Sequence, residues 1–154
     1  MDLHAIEEIR QLKYRYLRSV DQKRWDVLAG VLTEDAVADY GTQAMGKPLV
    51  LTGRAEILAF MRQHLGGDGI VTFHFCGQPE IEVDGDEATG IWAFEDTVIV
   101  KASRVVISGA AYYEERYVRT PEDGWRIGRI GYTRIYEQVV SMDDTPSLKF
   151  LSGV

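Results

Sequence analysis

The sequence predicts an α+β fold, in which a strongly curved, mostly antiparallel sheet wraps around one core and three helices from the N-terminal half close it. Apolar residues recur at three- and four-residue steps in three segments before residue 66, as amphipathic helices require. The remainder alternates apolar and polar residues in long stretches separated by turn sequences, as strands require. Helices followed by antiparallel strands are typical of the α+β class.

The composition is that of an ordinary globular domain. The chain has 154 residues, of which 45% are hydrophobic and 27% are charged, and this length favours one domain. We expect residues 1–140 to form that domain and residues 141–154 to form a tail that packs on it as a pocket flap. No apolar run approaches the roughly 20 residues of a membrane span. The acidic N-terminus lacks the apolar stretch of a secretory signal, which predicts a cytoplasmic protein.

Charge and metal-ligand content argue against several partners. The net charge is -7, which repels nucleic-acid phosphates and anionic lipids. One cysteine, Cys76, and three scattered histidines show no metal-binding spacing. We therefore expect no nucleic acid, no membrane, no metal and no cofactor. Cys76 is interpreted as a small buried hydrophobe rather than a thiol nucleophile.

The first predicted helix runs from Asp2 to about Val20 and carries Tyr16 on its buried stripe. Its apolar positions are Leu3, Ile6, Ile9, Leu12, Tyr16 and Val20. A second, shorter helix follows, with Trp25, Leu28 and Leu32 facing inward. Asp21 lies at the junction of the two helices. It is either a solvated cap residue or a polar group at the mouth of a pocket that the two helices cover.

A short strand, a loop and a third helix come next. The strand ends at Tyr40, and glycine and proline after it favour a loop or an edge strand over residues 42–52. Thr52 is predicted to cap the third helix, which ends at Gly66. The stripe of this helix consists of Ile57, Phe60, Met61 and Leu65. His64 is predicted to lie on its exposed side, without a role.

Two predicted strands between Val71 and Val100 hold the most informative polar residues. Period-two alternation places Asp96 on the same face as Trp92 and Phe94. His74 stands between two phenylalanines, which predicts that it is buried. A buried carboxylate is costly unless it meets a partner, so the sequence favours a His74–Asp96 pair acting as a general base with its orienting group. A satisfied core histidine and a carboxylate that reaches water at a bulge remain the alternatives.

Glycines also interrupt the long strands that follow. Gly109, Gly128 and Gly131 lie inside alternating stretches, where they predict bulges or sharp curvature. The sequence T-P-E-D-G before the last stretch predicts a hairpin turn. We therefore expect the sheet to bend as it approaches the C-terminus.

Several motifs together resemble the nuclear transport factor 2-like cone fold, and within it the SnoaL-like and scytalone dehydratase-like branch. They are Y-R-Y-L-R-S-V-D-Q-K-R-W-D-V-L, D-Y-G, F-H-F, A-F-E-D and a late W-R-I, and the resemblance covers nearly the whole chain. It implies site residues at Tyr16, Asp21, Tyr40 and His74. It also implies that Asp96 supports the histidine, as a carboxylate does in the bile-acid dehydratase of gut bacteria. The second histidine of scytalone dehydratase is absent, so the site is most similar to the bile-acid dehydratase type.

This resemblance implies a hydro-lyase that removes water from a cyclic β-hydroxy carbonyl compound through an enol or enolate. His74 would take the α-proton and return it to the departing hydroxyl, while Tyr16 and Tyr40 hold the oxygen that becomes negative. Asp21 would orient a tyrosine or the leaving hydroxyl. The expected substrate-binding residues are Trp25, Phe60, Trp92, Phe94 and Arg134. Core packing is the alternative for the aromatic residues, and a surface ion pair is the alternative for Arg134.

Other functions and an assembly are also consistent with the resemblance. A ketosteroid isomerase-like or polyketide cyclase-like enzyme is one alternative. A non-catalytic subunit resembling the small subunit of ring-hydroxylating dioxygenases is another. The resemblance implies a homo-oligomer, with a trimer favoured over a dimer. Apolar residues on both faces of the long strands, as at Tyr112 and Tyr113, independently predict association.

Overall fold

The computed structural model describes residues 1–151. Its three helices and six strands follow the order predicted from the sequence. They are α1 (Leu3–Asp21), α2 (Trp25–Ala29), β1 (Leu32–Asp39), β2 (Val50–Thr52), α3 (Arg54–Leu65), β3 (Ile70–Asp84), β4 (Glu87–Val100), β5 (Val105–Thr120) and β6 (Gly124–Ser141). A short 3₁₀ turn, Gln43–Met45, lies in the loop between β1 and β2.

The six strands form a single sheet in the order β2-β1-β6-β5-β4-β3. Strand β1 pairs with β6 in parallel, and the other neighbours are antiparallel. The predicted α+β fold with a curved, mostly antiparallel sheet is therefore confirmed. The long strands β3 to β6 form consecutive antiparallel neighbours, because each is connected to the next by a short turn.

Irregularities in the pairing bend the long strands. The β5–β6 register skips one residue of β6 at Gly128 and another at Ile135, so each of these is a bulge. On β3 the register shifts between Gly77 and Glu80, next to Gln78 at φ 50°. The predicted bulge is confirmed at Gly128. Gly131 was also predicted to mark one, but its pairing is regular on both sides.

The core lies between the inner face of the sheet and the helices α1 and α3. The α1 stripe is buried as predicted from Ile9 to Val20, and it packs with the inward residues of β4. At the start of the predicted stripe Leu3 is exposed and Ile6 is half-buried. Alternation along β4 places Trp92, Phe94 and Asp96 inside, as the sequence predicts. A lysine on α1, Lys13, is also completely buried, which is unusual for an ammonium group.

Two helix boundaries differ from the sequence prediction. Helix α2 ends at Ala29, so Leu32 opens β1 instead of facing inward from a helix. Thr52 was predicted to cap α3, yet the capping position belongs to Gly53 at φ 94°, a backbone conformation that threonine rarely adopts. The Glu56 carboxylate accepts a hydrogen bond from the Thr52 N–H at 2.7 Å.

The segment after β6 is tied to the β4–β5 turn. The Met142 N–H donates to the Arg104 carbonyl at 2.9 Å, and Arg104 pairs with Asp143 at 2.6 Å. No side chain from residues 142–151 lines the cavity described below. The flap therefore stays a prediction, and the last three residues of the expected tail lie outside the described range. Among residues 1–151, no helix is long and apolar enough to cross a membrane.

Candidate active site

A cavity of about 250 Å³ opens between the helices and the inner face of the sheet. Its walls are mainly aromatic and aliphatic side chains from α1, α3 and the β1–β2 loop. An imidazole, a carboxylate and a guanidinium from the sheet reach it: His74 of β3, Asp96 of β4 and Arg134 of β6. An apolar cavity with a few convergent polar groups is the usual form of a small-molecule site.

His74 is bound to Asp21 rather than to Asp96. Its Nδ1 lies 2.7 Å from one Asp21 carboxylate oxygen, and its backbone N–H donates to the other oxygen at 2.9 Å. The Thr72 hydroxyl donates to the same carboxylate at 2.8 Å. Asp21 is the last residue of α1, so the packing of that helix against β3 brings the carboxylate to the histidine. The junction residue is therefore part of the site and not a solvated cap.

The predicted His74–Asp96 pair is not formed, although its geometric premise holds. The two residues are directly paired across β3 and β4, so their side chains lie on the same face. Arg134 instead holds the Asp96 carboxylate with two hydrogen bonds, at 2.6 and 2.8 Å. A guanidinium matches both carboxylate oxygens at once, which a histidine cannot do.

Arg134 lines the cavity in an ion pair with Asp96 and is not in the surface ion pair that was the alternative. Its contact with a substrate stays a prediction. Burial alone would lower its pKa, but the hydrogen bonds to Asp96, together with the charges of Asp96 and Glu137 and the nearby Tyr132, raise the pKa. Glu137 lies 3.3 Å from the guanidinium on another side. We infer that Arg134 stays charged and fixed between the two carboxylates.

Gly109 makes room for that arginine. It lies on β5 between Asp96 of β4 and Glu137 of β6 in the strand register. A Cβ at this position would come within 3.0 Å of Arg134 Nη1 and 2.5 Å of the Tyr136 carbonyl oxygen. The glycine predicted to mark curvature therefore gives the guanidinium its path across the strand.

Tyr16 and Tyr40 meet in the cavity as the resemblance implied. Their hydroxyl oxygens are 2.7 Å apart, so one hydroxyl donates to the other and the second proton is available to a ligand. Burial raises the pKa of both phenols. Both hydroxyls are therefore protonated donors at neutral pH.

The sequence did not single out Tyr113 and Tyr132, which also line the cavity. The Tyr132 hydroxyl donates to the Tyr40 carbonyl at 3.2 Å. Every second residue of β5 around Tyr113 is buried, including Ala111 and Tyr117. This alternation in the sequence could have shown that Tyr113 faces inward and its neighbour Tyr112 outward.

The predicted lining residues divide into two groups. Phe60 and Arg134 line the cavity, whereas Trp25, Trp92 and Phe94 do not. Trp92 is fully buried, and Phe94 stacks behind Tyr113 with ring centroids 4.0 Å apart. Trp25 packs on the outside of the core cluster. These three aromatic residues are core, which was the alternative interpretation.

Four residues near the cavity, Phe73, Phe75, His64 and Cys76, differ in how far they are buried. Phe73 and Phe75 are each 63% exposed, so the expectation that apolar neighbours indicate a buried segment is wrong for them. Alternation along β3 turns them outward while His74 turns inward. His64 is exposed as predicted, but its ring stacks on Phe60 at the edge of the cavity. Burial raises the pKa of the Cys76 thiol.

In residues 1–151 no group of three or more His, Cys, Asp or Glu side chains lies close enough together to hold a metal ion.

The sequence of residues 1–130 matches the family described as SnoaL-like domain. The chain belongs to the SnoaL-like family. Uncharacterized proteins of Mycobacterium tuberculosis and Mycobacterium bovis are 34% identical to it over 135 residues, which cover 86% of this chain and 87% of theirs.

Solved structures share the fold at lower identity. A hexachlorocyclohexane dehydrochlorinase, LinA-type3 from Novosphingobium barchaimii, has a TM-score of 0.78 at 18% identity and covers 97% of this chain and 96% of its own. A putative scytalone dehydratase from Novosphingobium aromaticivorans has a TM-score of 0.78 at 17% identity, covering 89% and 88%. A protein from Kribbella flavida has a TM-score of 0.80 at 23% identity, covering 90% and 95%. These likenesses place the SnoaL-like chain in a fold that includes proteins named for elimination reactions.

Proposed function

We propose that this protein is a cofactor-independent hydro-lyase that removes water from a small cyclic β-hydroxy carbonyl compound. One observation carries the proposal: a histidine hydrogen-bonded to a carboxylate faces the same apolar cavity as a pair of hydrogen-bonded phenols. A base and an oxyanion donor in one enclosed site are the two groups that enolate chemistry requires.

In the proposed reaction His74 acts as the base. With Asp21 accepting a hydrogen bond from Nδ1–H, the free ring nitrogen Nε2 is the one that takes the α-proton. The electrons of the broken C–H bond form the enolate, whose negative oxygen receives hydrogen bonds from Tyr16 and Tyr40. The enolate then expels the β-hydroxyl, which leaves as water with the proton from His74. Asp21 stabilises the imidazolium between these steps, the role that the sequence assigned to Asp96.

The Asp96–Arg134 pair has a different part in this proposal. A guanidinium that is hydrogen-bonded to one carboxylate and close to a second is not free to neutralise a charged substrate. We therefore favour an uncharged substrate in this part of the cavity. The two side chains hold each other in place and orient the leaving hydroxyl of the substrate by hydrogen bonding.

Cavity size limits the substrate further. A volume of about 250 Å³ lies below the roughly 300–1,000 Å³ of typical ligand pockets. A single ring with short substituents suits this space better than a polycyclic compound does. The proteins named dehydrochlorinase and scytalone dehydratase support elimination as the reaction type through their shared fold alone.

A screen of monocyclic β-hydroxy ketones in deuterated water tests the proposal. Deuterium at the α-carbon reports the base even when the leaving group is wrong, and loss of water reports the complete reaction. We expect exchange with the native protein and none with His74→Gln. Exchange without water loss across the whole screen would favour the isomerase alternative. No exchange with any member would favour a non-catalytic protein.

We also propose that the protein forms a homo-oligomer, with a trimer favoured by the resemblance. Large apolar side chains lie exposed on the outer face of the sheet, including Phe73, Phe75 and Ile135. Sedimentation velocity at micromolar concentration tests this, and a monomer would rule it out. Replacing Phe73 and Phe75 with serine should shift the population toward monomer, whereas Tyr14→Ser on the exposed side of α1 should not.

A further inference from the structure

A second polar network lies behind the cavity, in the core. The Lys13 ammonium is completely buried and hydrogen-bonded to one carboxylate oxygen of Glu115. The other Glu115 oxygen accepts from the Tyr117 hydroxyl, which in turn accepts from Trp92 Nε1 at 2.8 Å. Lys13 itself does not line the cavity. The ammonium therefore acts on a ligand in the cavity through the side chains that separate the two.

Two cavity-lining rings face the ammonium: Tyr16, whose centroid is 5.0 Å from Lys13 Nζ, and Tyr113, which is much closer. Lys13 Nζ lies 3.2 Å from the Tyr113 ring centroid, while the Phe94 ring stacks on Tyr113 at 4.0 Å and 23°. An ammonium and a stacked ring cannot occupy the same face at these distances, so the two lie on opposite faces. Tyr113 is thus held between a cation and an aromatic ring.

The Tyr113 hydroxyl is available to a ligand. Within residues 1–151 it has no hydrogen-bond partner, although the side chain lines the cavity. Burial raises the pKa of this phenol well above its usual value, and the neighbouring Tyr40 adds to the effect. Since Tyr113 also raises the pKa of Tyr16, the three phenols form a cluster of protonated donors.

We propose that Tyr113 is a third donor to the oxyanion that Tyr16 and Tyr40 bind, and that Lys13 strengthens it from behind the ring. A cation over an aromatic face draws on the electron density of the ring, so the O–H bond becomes a better donor as negative charge develops opposite it. Tyr113 contacts the ligand, and Lys13 is a positioning residue that acts through it. This inference rests on the oxyanion-binding part of the proposed function and not on turnover.

The probe is 4-nitrophenol, whose phenolate oxygen resembles that of an enolate and whose visible absorbance reports ionisation. Titration of the bound probe gives the pH at which it ionises, which hydrogen-bond donors lower. Tyr113→Phe should raise this midpoint by about one pH unit, the equivalent of a tenfold change. Tyr112→Phe, on the exposed neighbour that faces outward, is the matched control and should not change it.

A double variant tests whether the Lys13–Glu115 pair acts on the bound probe through the ammonium, which lies much closer than the carboxylate to the Tyr113 ring. Lys13→Met with Glu115→Leu removes both charges and leaves neither unpaired, and it should raise the midpoint while Tyr113 is still present. Should this pair unfold the protein, as judged by near-UV circular dichroism, Lys13→Gln with Glu115→Gln removes the charges and keeps hydrogen bonds. A native midpoint in a folded double variant would overturn the role of Lys13.

Other outcomes separate this inference from the proposed function. A native midpoint in Tyr113→Phe would overturn the third donor, and no binding of 4-nitrophenol to the native protein at millimolar concentration would overturn the oxyanion cluster. The dehydration screen can fail while the probe still shows the expected shifts. In that case the donor cluster stands and the reaction type is wrong.

Discussion

The cavity and the Lys13 network are built alike and differ in what they leave open. Each joins a buried carboxylate to a cation: Asp96 to Arg134 in the cavity, and Glu115 to Lys13 behind it. In each case a strand glycine makes room, since a Cβ at Gly109 would meet Arg134 and a Cβ at Gly90 would come within 3.0 Å of Tyr117. The two glycines pair directly across β4 and β5 with Asp96 and Glu115.

The difference lies in unused hydrogen-bonding capacity. Behind the cavity both oxygens of Glu115 are occupied by Lys13 and Tyr117 within the protein. The cavity instead presents a histidine ring nitrogen and phenol protons that no described residue takes up. A buried ion pair therefore does not by itself mark a functional site. What marks one is a polar group that the fold has left for a ligand.

The sharpest test of this difference is His74→Gln. Glutamine keeps a side chain that can bind Asp21, but it cannot accept the α-proton, so turnover should fall by about 10² to 10⁴. Ligand affinity should change little, because the lost interaction belongs to the transition state. Steady-state kinetics together with 4-nitrophenol binding separates the two.

If His74→Gln retained most of its activity on a verified substrate, the base would have to be Asp21 or Asp96, and the isomerase alternative would gain.

Lys13→Ala tests the Lys13 network behind the cavity by its effect on protein stability rather than on activity. It leaves the Glu115 carboxylate buried without its cation, which should cost about 3–5 kcal/mol of unfolding free energy in a urea titration. The control is Arg104→Ala, which breaks the exposed pair with Asp143 and should cost less than about 1 kcal/mol. Equal losses in the two variants would contradict a buried, structurally coupled pair.

Alkaline pH should destabilise both regions together. Burial raises the pKa of Tyr16, Tyr40, Tyr113, Tyr117 and Tyr132. Below about pH 10 these phenols are protonated in both states; above it the unfolded chain releases protons that the folded chain retains. Unfolding free energy should then fall by about 1.4 kcal/mol per pH unit for each such phenol. Urea titrations from pH 9 to 11, with absorbance at 295 nm, measure this, and a flat profile would contradict the burial of these hydroxyls.

Gly109→Ala should give the smallest effect, confined to one part of the cavity. The new methyl group would crowd Arg134 and the Tyr136 carbonyl, costing about 1–3 kcal/mol of stability and shifting the guanidinium away from Asp96. Gly77→Ala is the matched strand control, since nothing lies within 4 Å of a Cβ there. Thermal unfolding and the activity of both variants show whether the crossing of Arg134 over β5 matters.

The fold was predictable because it depends on local pattern. Helical spacing in α1 and α3 and alternation in β4 determine which side chains turn inward, and these patterns placed Tyr16 and Asp96 on the inner face. His74 was placed inside from its phenylalanine neighbours, which in fact face outward. The cavity itself therefore follows in outline from the sequence.

The partners of the charged groups were not predictable in the same way. Asp21 reaches His74 because the end of α1 packs beside β3, and Arg134 reaches Asp96 across an intervening strand. Both pairings depend on distances between elements far apart in sequence. Lys13 was hidden for a related reason: its neighbours on the stripe are apolar, and only the fold shows that Glu115 meets it.

The register of β3 against β4 has a consequence for insertions and deletions. From Ile70 to Gly77 each residue of β3 has its own partner on β4, and alternation puts His74 inside and its two phenylalanine neighbours outside. Removing one residue from the turn before this stretch leaves the pairing intact. Removing Phe73, which lies inside this stretch, would exchange the inward and outward positions of the residues that follow it on β3. Phe75 would then face Asp21 in place of His74. Length variation should therefore be tolerated in the turn between α3 and β3, and it should disrupt the cavity within these eight positions.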